Sequence, residues 1–141
     1  MNNFNIYLAG AMSGLSFEEQ NNWRKAVKGK LENTCSIYRI NCINPVDYYN
    51  FEDESKYDNE TEVMNFDLHK LKHSDLVIVN FNKPESLGTM AEIATAYELR
   101  IPIIGLKSEL TKLHPWQECM CSKIFTNFYT MINYVEEFYL S

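Results

Sequence analysis

Residues 75–99, DLVIVNFNKPESLGTMAEIATAYEL, constrain the fold more tightly than any other stretch. Leu76, Val77, Ile78 and Val79 form an unbroken apolar run. A half-exposed strand would alternate, so this run reads as a strand covered on both faces, which requires helices on either side of a parallel sheet. Asn80, Asn82, Lys83 and Pro84 interrupt the run, Ser86-Leu87-Gly88-Thr89 follows, and the pattern turns helical from Met90. In open α/β sheets ligands bind outside the carboxyl ends of the strands, where such a turn lies. A helix N-terminus at that place adds free N–H groups and a positive dipole end. Ser86 suits the helix cap and Gly88 leaves room for a ligand. Glu92 is expected within about the first helical turn, four residues after Gly88 and on its face. A carboxylate at the mouth of the expected pocket is the most informative feature of the chain.

The rest of the sequence repeats this strand–helix alternation. Asn5-Ile6-Tyr7-Leu8-Ala9-Gly10 reads as a first strand, with a turn at Ala11-Met12-Ser13-Gly14. Ser16 and Glu19 have capping-box spacing and open a helix through about Leu31, with Trp23, Val27 and Leu31 as its buried stripe. Gly10-x-x-x-Gly14 is neither a dinucleotide fingerprint nor a P-loop; it fits a phosphate cradle or an ordinary strand-to-helix connection. Residues 36–43 predict a second strand ending at Asn44-Pro45. A long polar and aromatic loop follows, in which Tyr48, Tyr49, Phe51 and Tyr57 either form a lid or stacking wall or pack the loop onto the body. Asn59 and Glu62 begin a second helix ending near Lys72, with Val63, Phe66, Leu68 and Leu71 apolar and Asp67 at the edge of that face. His73 and Asp75 border the next strand. Beyond the central helix, residues 101–106 predict a strand, Pro115 a helix start, Phe125 a last short strand, and Tyr129 to Tyr139 an amphipathic helix. Alternation of this kind implies one Rossmann-like or flavodoxin-like domain over residues 1–141, with a parallel sheet of about five strands and helices on both faces.

Totals narrow the partners. A net charge of −6 argues against broad binding to nucleic acid polymers or anionic membranes. No apolar run approaches the length of a membrane span, and no targeting signal stands out, so a cytoplasmic location is expected. The four cysteines form no CxxC pair and read as reduced thiols; His114 with Cys119 and Cys121 lacks a second pair, so no metal is expected. Nine tyrosines, eight phenylalanines and two tryptophans are many for this length, enough to line a ligand site or an oligomer interface as well as the core.

Ile6-Tyr7-Leu8-Ala9-Gly10, the helix carrying Asp67, and Ser86-Leu87-Gly88-Thr89-x-x-Glu92 together resemble the nucleoside 2-deoxyribosyltransferase family, from about residue 5 to 106. That family includes nucleoside 2′-deoxyribosyltransferases and nucleoside 5′-monophosphate N-glycosidases. The resemblance implies that Glu92 is the nucleophile that attacks C1′ of the sugar and displaces the base. It implies that Tyr7 orients Glu92 and that Asp67 contacts the base or assists its departure as a general acid. A side-chain nucleophile requires no cofactor. The partner is then a small nucleoside or nucleotide, and a homodimer or larger homo-oligomer is expected, with His114-Pro115-Trp116 as the place where a neighbouring subunit would meet the pocket.

Ser86 discriminates between the two activities. Transferases on free nucleosides tend to carry Asp there, facing the sugar 5′-hydroxyl, whereas monophosphate N-glycosidases carry Ser, which does not repel a phosphate dianion. Ser13 is a second hydroxyl for that phosphate, Gly10 and Gly14 give backbone access, and Lys83 adds charge. Glu85 acts against this by adding negative charge, or takes the sugar-hydroxyl role itself. Water can replace the acceptor base, so hydrolysis and transfer both stay open. A silent nucleotide-sensing module and an N-glycosidase acting on a larger dinucleotide are the other readings.

Overall fold

The computed structural model describes residues 1–48 and 59–141; Tyr49, Phe51 and Tyr57 lie outside the described residues. Five strands form one parallel sheet: β1 (Asn3–Gly10), β2 (Arg39–Ile43), β3 (Leu76–Asn80), β4 (Ile103–Leu106) and β5 (Lys123–Phe125). Their order is β2-β1-β3-β4-β5, the flavodoxin-like arrangement, so the expected fold class is the one observed.

Five helices cover the sheet: α1 (Phe17–Leu31), α2 (Glu60–Lys72), α3 (Leu87–Glu98), α4 (Pro115–Met120) and α5 (Phe128–Tyr139). Their starts follow from local chemistry. Ser16 and Glu19 make the predicted reciprocal capping box of α1. Asn59 Oδ1 accepts from Glu62 N at the head of α2, and Asn127 Oδ1 from Thr130 N at the head of α5. Each such cap satisfies an N–H that has no partner inside the helix.

The side chains of each strand alternate between two apolar layers. Ile6 and Leu8 of β1 pack with Leu76, Ile78 and Ile104 against Val27 and Leu31 of α1 and Met131, Ile132 and Val135 of α5. Tyr7 and Ala9 point the other way and pack with Val77, Val79 and Ile103 against Leu71, Ile93 and Ala96 of α2 and α3. The apolar run in β3 is buried throughout, because both layers need it.

Strand β2 is shorter than the sequence pattern implies. It begins at Arg39, because Ser36 Oγ bonds to Leu140 O and to Tyr38 N, and Ile37 faces solvent. It ends as expected at Asn44-Pro45, where Asn44 Oδ1 accepts from Val46 N and opens a single 3-10 turn over Pro45–Asp47. Among the described residues, no helix is long and apolar enough to cross a membrane.

Candidate functional site

The sheet order reverses between β1 and β3, so ligand binding is expected at their carboxyl ends. The Tyr7 side chain is fully buried and points from β1 towards α3. Its hydroxyl donates to Glu92 Oε2 across 85 residues of sequence. Helix α3 begins at Leu87, so Glu92 is its sixth residue and sits in the second turn, deeper than the sequence pattern implies. Glu98, by contrast, is exposed, and Thr95 turns its hydroxyl to Ala91 O.

Asp67 comes to the same place from α2. It lies four residues after Val63 and four before Leu71, both buried, so it occupies the middle of the buried stripe where the sequence reading placed it at the edge. Its Oδ1 is buried without a hydrogen-bond partner. Desolvation pushes Asp67 up to about 7, opposed by the charge of Arg24. Desolvation pushes Glu92 up to about 8; the Tyr7 hydrogen bond and Arg24 lower it, and the neighbouring Asp67 raises it. Tyr7 is held well above its ordinary range by burial and by the two carboxyls, so it acts as a proton donor in a hydrogen bond and not as a base. Two carboxyls with raised affinity for protons, one of them held by a phenol, are the kind of pair that can divide nucleophile and acid roles between them.

A second group forms where the β1–α1 turn meets the β3–α3 loop. Lys83 Nζ donates to Ser13 O at 3.3 Å. Gly14 has φ +81°, a left-handed conformation that favours glycine, and a Cβ there would lie 2.8 Å from Lys83 Nζ. Ser86 Oγ caps α3, accepting from Thr89 N at 3.3 Å and from Thr89 Oγ1 at 3.1 Å. Gly88 is exposed in the first turn of α3, with open space where a Cβ would stand. Gly10 is buried: a Cβ there would lie 2.8 Å from Trp23 Cζ2 and 3.3 Å from Asn80 O, and its carbonyl is taken by Arg24. Gly10→Ala is therefore expected to lower stability by about 1–3 kcal/mol, as overpacking does, read from the urea midpoint; an unchanged midpoint would show that Trp23 moves aside freely.

The residue that sequence reasoning missed is Arg24. Its side chain is fully buried and donates to the carbonyls of Leu8, Gln20 and Gly10. Its signal was its place in the stripe Gln20, Arg24, Val27 and Leu31, a helical spacing that buries all four. Among the described residues, no group of three or more His, Cys, Asp or Glu is placed to hold a metal ion. A hollow of about 580 Å³, lined by Tyr97, Arg100, Pro102, Cys119, Cys121 and Ser122, opens at the amino ends of β4 and β5. It is remote from Tyr7 and Glu92, and burial pushes its Cys121 thiol up to about 12, so that group stays protonated. The ionisable cluster at the strand carboxyl ends is the better candidate for chemistry.

The profile of the nucleoside 2-deoxyribosyltransferase family matches residues 6–135. No curated protein sequence matches the chain significantly. Among solved structures, a conserved protein from Enterococcus faecalis aligns with a TM-score of 0.77 at 15% identity, covering 96% of this chain and 98% of that one. A 2-deoxyribosyltransferase from Bacillus psychrosaccharolyticus aligns with a TM-score of 0.69 at 15% identity, covering 92% and 91%. A CMP N-glycosidase from Clostridium botulinum gives 0.63 at 18% identity, covering 95% and 98%. At these identities the structural likenesses establish the fold alone.

Proposed function

The chain belongs to the nucleoside 2-deoxyribosyltransferase family, and from that premise we propose that it cleaves the N-glycosidic bond of a 2′-deoxynucleoside or its 5′-monophosphate through Glu92. The observation that carries this reading is the part-buried Tyr7–Glu92 hydrogen bond, formed beside Asp67 where α2 and α3 cover the sheet. Glu92 attacks C1′ as the bond to the base breaks; a glycosyl-enzyme ester forms, and water or a second base then releases the sugar. Asp67 donates a proton to the departing base.

The reaction needs Glu92 ionised while Asp67 keeps its proton. Before substrate binds, Asp67 ionises first, at about 7 against about 8 for Glu92, a value that the Tyr7 hydrogen bond already lowers. Hydrogen bonding favours the opposite order, because Tyr7 donates to Glu92 whereas Asp67 Oδ1 has no donor. Substrate filling the pocket changes the solvation of both carboxyls, while the packing of Tyr7 keeps its hydrogen bond on Glu92, so the filled site favours the order the reaction needs.

A monophosphate is the favoured substrate. Lys83, Ser13 and Gly14 converge beside the α3 N-terminus, where a cation, a helix dipole and free N–H groups suit a phosphate. The CMP N-glycosidase of the same fold acts on a monophosphate, which agrees. Asp caps helices as well as Ser does, so Ser86→Asp leaves the cap intact and adds only charge. It is expected to lower kcat/KM for monophosphates by about ten- to a hundredfold relative to free nucleosides, the scale of one close like-charge contact; an unchanged ratio would place the phosphate elsewhere. Incubation with each deoxynucleoside and deoxynucleotide, with and without a second base, tests the function itself. Free base from monophosphates indicates hydrolysis and exchanged nucleoside indicates transfer; neither product from any substrate would defeat the proposal. A homodimer or larger assembly in the cytoplasm completes it, with exposed Leu87 and Trp116 near the pocket as contact candidates.

A further inference from the structure

Helix α1 sends a guanidinium into the sheet at a place the strand register defines. Arg39 N of β2 donates to Asn2 O, so the carbonyls of even-numbered β1 residues face β2. On the same offset, residue 43 serves residue 6, and residue 45 would serve Leu8. That residue is Pro45, which has no N–H, and the chain there turns away into the 3-10 turn. The carbonyls of Leu8 and Gly10 lose their strand partners. Arg24 takes both: Nε donates to Leu8 O at 3.1 Å and Nη2 to Gly10 O at 3.0 Å. The guanidinium stands where β2 would continue, beside the strand that carries Tyr7.

No carboxylate among the described residues pairs with it at salt-bridge distance. Among the described residues the ion pairs are those of Lys28 with Glu32 and Asp47, and Arg24 has none. Burial lowers Arg24 only to about 10, so it stays charged at neutral pH. The groups that act on Glu92 are Tyr7 from β1, Asp67 from α2 and Arg24 from α1, and Arg24 is the single cation among them. The cluster thus holds two carboxyls and one positive charge, enough to balance one ionised carboxylate.

We propose that Arg24 is a positioning residue for the reaction: it stands in for the missing end of β2, fixing the strand that aims Tyr7 at Glu92, and its unpaired charge favours the ionised form of Glu92 in a desolvated site. This rests on Glu92 being the nucleophile. Arg24 does not touch the substrate; it acts through β1 and through its field. Arg24→Met keeps much of the bulk and removes charge and donors, whereas Arg24→Lys keeps the charge.

The test follows the Glu92 side-chain carboxyl by carbon NMR across pH, with Glu92→Gln identifying the resonance, alongside the pH profile of kcat/KM. In Arg24→Met the Glu92 midpoint is expected to rise by about one pH unit, with kcat/KM at pH 6 falling about tenfold and recovering as pH rises. Arg24→Lys is expected to titrate closer to wild type than to the methionine variant. An unchanged midpoint in folded Arg24→Met, or equal shifts in both variants, overturns the proposal. Should the methionine variant fail to fold, the wild-type protein still decides: the Arg24 Nε resonance is expected to follow the Glu92 midpoint, and a flat response overturns the proposal. If Glu92→Ala releases base at the wild-type rate, the nucleophile assignment fails by itself, while the carboxyl titration separately reports whether Arg24 sets the charge.

Discussion

Glu92→Gln is expected to lower base release by at least about a thousandfold, the scale on which removing a covalent nucleophile acts, while raising thermal stability at alkaline pH. The amide keeps an oxygen to accept from Tyr7 and roughly the same volume, so binding is retained and the loss falls on kcat. Acid quench of wild type with substrate, followed by mass spectrometry, is expected to show a glycosyl adduct on the Glu92 peptide that the variant lacks. The stability change has a definite sign. In the folded protein Glu92 holds its proton up to about 8, against 4.5 ordinarily. Between those values the unfolded chain gives up a proton that the folded chain retains, so rising pH favours unfolding. The stability is fully present below about pH 4.5 and lost as pH rises through about 8. Glutamine has no such proton, so at pH 8 the variant is expected to melt roughly 5–10 °C higher. The gap is expected to close near pH 4. A variant as active as wild type would remove Glu92 from the mechanism. A melting gap that does not depend on pH would show that its carboxyl is not desolvated.

Asp67→Asn is expected to slow turnover by about a hundred- to ten-thousandfold, the range for removing a general acid, and by different amounts for different leaving bases. A base that departs readily as an anion needs little protonation, so it loses least; a basic, reluctant leaving group loses most. The measurement is kcat/KM across a series of bases of graded acidity. A steeper dependence on leaving-group acidity in Asp67→Asn than in wild type supports proton donation. Parallel dependences would make Asp67 a binding contact only. Its pKa, raised by desolvation to about 7, predicts that the proton-donating form declines above neutral pH, so wild-type turnover of basic leaving groups is expected to fall on the alkaline side.

Much of this architecture was legible because short-range patterns determine it. The apolar run at residues 76–79 required burial on both faces, and Ser16 with Glu19 announced the start of α1. The pairing of Tyr7 with Glu92 was expected from the resemblance, since no local pattern links residues so far apart. What escaped depended on tertiary context. Arg24 reads as an ordinary polar residue after Trp23 until Pro45 is seen to deprive Leu8 of its donor. Asp67 reads as an edge residue if Phe66 is counted into the apolar face, and as central if Val63 and Leu71 define it. Gly10 looks like an open glycine in a βα turn, yet Trp23 fills the space where its side chain would be. The length of α4 could not be read, because His114 caps it through a ring nitrogen that accepts from Trp116 N, an unusual cap.

Tyr7, Arg24, Asp67 and Glu92 come from four separate elements, and the Asp75 side chain, accepting from Asn5 N, joins the first of these elements to the start of the third strand. Tyr7 leaves the ribosome long before Glu92 is made, and no single strand or helix holds two of the four. On the proposed reading, a nascent chain that has not yet reached α3 lacks the nucleophile and cannot attack a nucleotide. The proposed reactivity therefore waits until β1, α1, α2 and α3 have come together.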